Sequence, residues 1–499
     1  MDLAEYTSCD ATELGRLLAA RELDAGEVRE AALRAIEAVE PRLNAVVSGP
    51  YEDVASAGEG PLLGDGPVAS VPMAVKDTLP EAGRPLGFGS RLLDGFVTPR
   101  DATLAERFRA AGLVALVRTA TPEFAFNTDT APLVHGATLN PWDPGRSPGG
   151  SSGGSAALVA ARALPVAHAN DGGGSIRIPA AWCGLVGLKP SRGRVPLGPA
   201  VGEAVGGFAH EFALTRTVRD AAALLDAVCG PAPGDRYYVA RPARSYADAL
   251  AEPPSPLRVA VHTASFFGAP TQPQTRAAVE AVGAMLQELG HHVEEACPAV
   301  AEDRLRGCLE AVWSLDLAGL AGTFARITER ELGPGQVEAA SWACIQRGRE
   351  VSGLELEAAA AVVNSLSRRW GRFLDEHDVF LCPTTPAPAP ASGVPDQNSE
   401  RIDASGAWME EVFARIPFTP IANLTGQPSI SLPLGVAADG MPLGVMLTAQ
   451  TLREDLLLGV AASLEQAMPW LERRPAVDAG ASSADPSSAD PSSADPSSA

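Results

Sequence analysis

Hydrophobic and polar positions change period along this chain. Near the start Leu14, Leu17 and Leu18, then Val28, Ala31, Ala32, Ala35, Ile36 and Val39, fall at helical spacing, the mark of helices that bury one face. Two amphipathic helices are therefore expected to open the chain. Pro41 is expected to stop the second, because its ring and missing N–H disfavour a helix interior. From Val68 the texture changes to short apolar runs broken by glycine and proline. Val71–Val75 and Leu113–Val117 read as buried strands flanking a helix over Leu104–Ala111, an alternation that predicts an α/β fold.

Further along, 145–193 is rich in glycine and serine but carries apolar segments, so its glycines read as positional rather than as a flexible linker. The prolines of 231–256 mark a connection before a strand at Leu257–Val261 and a helix over Thr275–Leu289. Residues 300–372 keep helical periodicity. The proline run 383–390 then leads to strands at Ile430–Pro433 and Gly444–Leu447. The pattern divides the chain into a helical segment 1–65 packing on the core, a catalytic body 66–475 and a tail 476–499. That tail holds three copies of Ser-Ser-Ala-Asp-Pro, which has no apolar surface to bury and is expected to be disordered.

Composition narrows the function. A length of 499 residues with 46% hydrophobic and 20% charged residues is that of an enzyme-sized globular body. A formal net charge of −22 repels phosphate backbones and anionic lipid, so neither nucleic acid nor membrane is an expected partner. Met1–Tyr6 has no basic or apolar leader character, and no uninterrupted apolar run approaches the roughly 20 residues of a membrane span. Seven scattered cysteines without a C-x-x-C pair suggest neither a disulfide framework nor a zinc knuckle, which fits a cytoplasmic protein. Homodimerisation is left open.

The candidate chemistry lies in three segments: Val71–Asp77, Pro148–Ser155 and Asn170–Pro179. Lys76 ends an apolar strand-like run, where desolvation favours a neutral amine able to act as a base; an isolated lysine at a strand end is more often a surface charge. Gly172, Gly173 and Gly174 stand directly before Ser175, so the backbone can turn sharply and aim several N–H groups at one point. An oxyanion hole needs that, but so does a tight turn or an anion-binding nest. No Gly-Lys-Ser/Thr follows for a phosphate loop, and no G-x-G-x-x-G with an acidic partner follows a clear strand. No G-x-S-x-G surrounds Ser175, and the seven histidines form no H-E-x-x-H, so neither a Ser-His-Asp triad nor zinc is indicated. His168, just before the glycine run, reads as a packed or supporting residue. No metal or cofactor is expected.

Together Lys76, Gly149–Ser155 and Gly173–Ala180, followed by Cys183–Pro190 and Phe418–Pro428, resemble the amidase-signature family over about 65–465. The resemblance implies a large twisted mixed β-sheet covered by helices on both sides. It implies Ser175 as nucleophile, Ser151 as a bridging serine on a cis peptide bond and Lys76 as base. The backbone of Gly172, Gly173 and Gly174 would form the oxyanion hole, with Asp171 and Arg177 bracing the loop through charge-assisted hydrogen bonds. Ser152, Ser155, Cys183 and Lys189 also fall inside the signature, with turn chemistry or close packing as their reading.

Gly172 replaces a frequent Thr or Ile, and Val166–Asn170 is similar to the branch that contains 6-aminohexanoate cyclic-dimer hydrolase, which points to a small linear or cyclic amide as substrate. Arg118 stands where the family commonly has Lys and Ala120 where it has Asn. The segments 125–140, 200–215 and 300–350 are where that family varies its substrate pockets. A glutaminase-type amidotransferase subunit, or an amide-forming acyl transferase with the same triad, are the alternatives.

Overall fold

Residues 1–52, 64 and 66–481 are described by the computed structural model; the Ser-Ser-Ala-Asp-Pro repeat lies outside the described residues. Among them eleven strands form one mixed sheet. In chain order they are β1 Val46–Ser48, β2 Pro72–Lys76, β3 Val114–Thr119, β4 Val166–Asp171, β5 Val186–Lys189, β6 His210–Thr215, β7 Arg258–Val261, β8 His292–Glu295, β9 Val379–Pro383, β10 Ser429–Val436 and β11 Pro442–Ala449. They are laid side by side as β1-β3-β2-β4-β6-β5-β10-β11-β9-β7-β8. β2 runs parallel to both β3 and β4, β4 antiparallel to β6, and β7 parallel to β9.

Alternate residues of the central strands enter two hydrophobic clusters. Val379 and Leu381 of β9 with Val445 and Leu447 of β11 join one; Phe380 and Cys382 with Met446 join the other. Because successive side chains of a strand point to opposite faces, the two clusters cover the two faces of the sheet. The first cluster is completed by the N-terminal helices and by Val218–Val228 and Glu454–Ala467. The second is completed by Glu302–Thr328, Ala339–Glu350, Gly353–Glu376 and Ser405–Phe413. This is the α/β architecture expected, a large mixed sheet covered by helices on both sides. Helix Glu302–Thr328 has the length and apolarity of a membrane span, yet it packs along Ala339–Glu350 and Gly353–Glu376 and buries Leu309, Val312, Trp313 and Leu317.

Two local expectations change. The helix Ala25–Leu43 runs through Pro41. Proline there falls in the last turn and removes a single ladder bond, while Leu43 is fully buried and Asn44 closes the helix in the left-handed conformation. Nor is the chain free from 476: Val477 and Ala479 are buried, and their amides donate to Pro141 and Ala161 carbonyls. The segment 1–52 is part of the body, since its helices share the first cluster and β1 forms the edge of the sheet against β3.

Candidate active site

Parallel pairing of β2 with β4 brings their carboxyl ends together, the edge of an open α/β sheet where ligands commonly bind. Lys76 ends β2 and Asp171 ends β4. Between them lies the start of the wholly buried helix Gly153–Ala160. Its small residues let it approach the sheet: a Cβ on Gly154 would stand 2.6 Å from the Ala120 amide nitrogen. Ser151 and Ser152 immediately precede that helix, with the Gly150–Ser151 peptide cis.

The buried Lys76 ammonium or amine is held by three oxygens, Ser151 Oγ at 2.7 Å, Ser152 Oγ at 3.0 Å and Asn170 Oδ1 at 2.6 Å. Burial drives its pKa down to about 7, against the opposing pull of the Glu211 and Asp171 carboxylates. Asp77 and Arg118 do not enter this cluster. Arg118, fully buried, donates to Glu81 at 2.8 Å and to the Leu79 carbonyl at 2.9 Å and lies 3.8 Å from Asp77. The Arg118 replacement thus braces the turn after Lys76.

Ser175 stands on the turn between β4 and the helix Arg177–Cys183 and is half-buried, as are Gly172 and Gly173. Its hydroxyl makes no hydrogen bond among the described residues, whereas Lys76 is sealed from solvent. Gly174 adopts φ +141°, and a Cβ there would stand 2.5 Å from both Ile178 Cδ1 and Thr419 Oγ1; only glycine fits. The Gly174 amide, expected among the oxyanion donors, instead donates to Asp171 Oδ1 at 2.7 Å. A backbone amide has one hydrogen, so the amides of the turn left without a partner among the described residues are those of Gly172, Gly173 and Ser175.

Asp171 and Arg177 form a buried ion pair beneath the turn. The Asp171 carboxylate accepts from Arg177 Nε and Nη2, both at 2.9 Å, from Asn423 Nδ2 at 2.8 Å and from the Ile176 amide at 3.2 Å. Burial alone would push its pKa up, but the Arg177 charge and these donors hold it well below the usual carboxylate range. Arg177→Met is expected to lower stability by about 3–5 kcal/mol, since it leaves a buried carboxylate unpaired. Thermal melting checks this, with Arg177→Lys failing to restore the forked contact.

Of the other signature residues, Ser152 bonds directly to Lys76, more than turn chemistry. Ser155 joins the Thr119 hydroxyl and the His168 carbonyl, each at 2.7 Å. Cys183 donates to the Pro148 carbonyl, its thiol pushed up by burial, and Lys189 donates to the Pro190 carbonyl. Asn170 opens the third motif segment; its contact with Lys76 spans 94 residues of sequence, and no local signal announces it. Among the described residues no group of three or more His, Cys, Asp and Glu side chains is placed to hold a metal ion.

Residues of 200–215 and 300–350 meet the glycine turn, and 125–140 packs on the second of these. Trp313, from helix Glu302–Thr328, lies so close to Gly173 that a Cβ there would stand 2.7 Å from its Cζ2. Phe126 meets the Trp313 ring edge-on at 6.2 Å. A Cβ on Gly172 would touch only Val205 Cγ2, at 3.8 Å, so that position is roomy. The mouth of the site is walled by aromatic and aliphatic surface.

Comparison with known proteins matches residues 27–458 to the amidase family model. The chain is 39% identical over 478 residues to the 6-aminohexanoate-cyclic-dimer hydrolase of Paenarthrobacter ureafaciens, covering 93% of this chain and 96% of that protein. The solved structure of 6-aminohexanoate cyclic dimer hydrolase complexed with substrate superposes with a TM-score of 0.88 at 36% identity, covering 94% of this chain and 99% of the other. A bacterial aryl acylamidase of the amidase signature family superposes with a TM-score of 0.83 at 26% identity, covering 93% and 97%.

Proposed function

The chain belongs to the amidase family, and on that footing we propose that it hydrolyses a small carboxamide through Ser175, Ser151 and Lys76 and an acyl-enzyme intermediate. The observation that carries this reading is the 2.7 Å bond from buried Lys76 to Ser151 Oγ, with Ser175 half-buried on the glycine turn and its hydroxyl unbonded among the described residues. A lysine brought to about 7 by burial is neutral in a large share of molecules at neutral pH. It accepts the Ser151 proton while Ser151 accepts that of Ser175. The Ser175 oxygen then bonds to the amide carbon, and the negative carbonyl oxygen is met by the free amides of Gly172, Gly173 and Ser175. The proton returns along the same path to the leaving nitrogen as the C–N bond breaks. Water attacks the resulting ester by the same relay.

The substrate we propose is a linear or cyclic amide of 6-aminohexanoate type, supported by the similarity to the cyclic-dimer hydrolase. The space above Gly172 and the aromatic wall of Phe126 and Trp313 support an acyl group that is apolar and broad rather than charged. The test is turnover of cyclic and linear 6-aminohexanoate dimers, an anilide and glutamine by the purified chain alone, following amine release. The dimers or the anilide are expected to be cleaved and glutamine to be refused. Turnover of glutamine alone overturns the reading in favour of a glutaminase subunit; amide synthesis from added amine in preference to hydrolysis overturns it in favour of an acyl transferase.

A further inference from the structure

The contacts behind Lys76 reach further than the three catalytic side chains. Asn170 Oδ1 accepts from Lys76 at 2.6 Å, so its amide must present oxygen rather than NH2 to an ammonium. What holds it that way lies on the far side of the amide. Its Nδ2 donates to Thr78 Oγ1 at 2.9 Å and to Glu211 Oε1 at 3.3 Å. A carboxylate only accepts, whereas a hydroxyl can also donate, so Glu211 is the partner that forbids the reversed orientation. Glu211 Oε2 in turn lies 2.7 Å from His168 Nε2. His168 is fully buried, its Nδ1 has no partner among the described residues, and Phe108 backs its ring edge-on at 6.1 Å. The ring hydrogen therefore belongs on Nε2, donating to Glu211.

Strand register makes the arrangement. Asn170 of β4 is paired directly with Glu211 of β6; His168 lies two residues back on β4 and shares that face. We propose that Glu211 is a positioning residue for the base, holding the Asn170 carbonyl on Lys76 from a place where it touches no reacting atom. This rests on Lys76 being the base.

Glu211 also brings a negative charge towards Lys76. The groups facing Lys76 are Asp171 and Asn170 from β4, Glu211 from β6, Arg118 from β3 through the Lys76 carbonyl, and Ser151 and Ser152 before the buried helix; Asp77, the next residue after β2, lies 3.8 Å from Arg118. Glu211 itself faces His168 and Asn170 and borders a narrow surface cavity with His210, Asp235 and Arg236. Removing its charge leaves Asp171, already committed to Arg177, as the other anion acting on Lys76. The ammonium form then loses support, and the base becomes neutral at lower pH.

The experiment is the pH profile of kcat/KM for wild type, Glu211→Gln, Glu211→Asp and His168→Gln, on whichever amide the wild type cleaves best. Glu211→Gln is expected to move the acid limb down by roughly one pH unit, the effect of one charge several ångströms away at an effective dielectric near 20. It is also expected to lower the plateau on the order of tenfold through a misaligned amine. Glu211→Asp should keep the wild-type limb, having kept the charge. An acid limb that stays in place in Glu211→Gln, whatever its melting temperature or plateau, overturns the proposal. His168→Gln likewise keeps the Glu211 charge and should keep the wild-type limb; if Glu211→Gln does not fold, Glu211→Ala removes the same charge, and an acid limb unmoved there overturns the proposal as well. Full activity in Lys76→Met would show separately that the base assignment had failed.

Discussion

Ser175→Ala is expected to reduce amide turnover to background, a loss on the order of 10⁶ if the nucleophile is as indispensable as in other serine hydrolases. The fold should not suffer. Ser175 is half-exposed and its hydroxyl bonds to nothing among the described residues, so removing one oxygen there is expected to change stability by no more than about 0.5 kcal/mol. Wild type incubated with a slowly deacylated amide or ester should gain the mass of the acyl group on Ser175, and the variant should not. A variant as active as wild type would remove Ser175 from the mechanism and leave the glycine turn as a binding nest.

Lys76→Met is expected to lower kcat by about 10²–10⁴, the range of a general base. The wild-type pH profile tests the same idea without a substitution. Burial brings Lys76 down to about 7. Below that pH it carries a proton and cannot accept one; above it the amine is free. The rate constant kcat/KM should therefore climb through an apparent pKa near 7 and level off on the alkaline side. A profile flat from pH 5 to 9 would mean that Lys76 is not the group whose deprotonation starts the reaction. Lys76→Arg should not restore activity, since a guanidinium stays protonated throughout.

The site was legible to different depths. Lys76, Ser151 and Ser175 stood out because each sits in a short motif whose neighbours are dictated locally: an apolar strand before the lysine, small residues around the serines. Gly174 was readable for the same reason, since a left-handed turn against Thr419 and Ile178 tolerates no side chain. That its amide serves Asp171 was not readable, because which N–H points where depends on turn geometry that three glycines leave free. Nor did local pattern show that Pro41 lies inside a helix or that Val477 docks, because burial of Leu43 and Val477 against distant parts of the chain decides both.

By itself the sequence determined the strand and helix alternation and, through its family resemblance, the covered mixed sheet and the amidase family. These rest on periodicity and on motifs a few residues long, which short-range sterics and hydrophobic burial enforce. Tertiary structure alone decided what surrounds the lysine. Asn170 reaches it with Glu211 behind because β4 lies between β2 and β6, and Trp313 meets Gly173 because the second apolar cluster folds a helix from 140 residues away over the turn. Strand order and register are settled by burying both faces of the sheet at once, a global condition that no single segment contains.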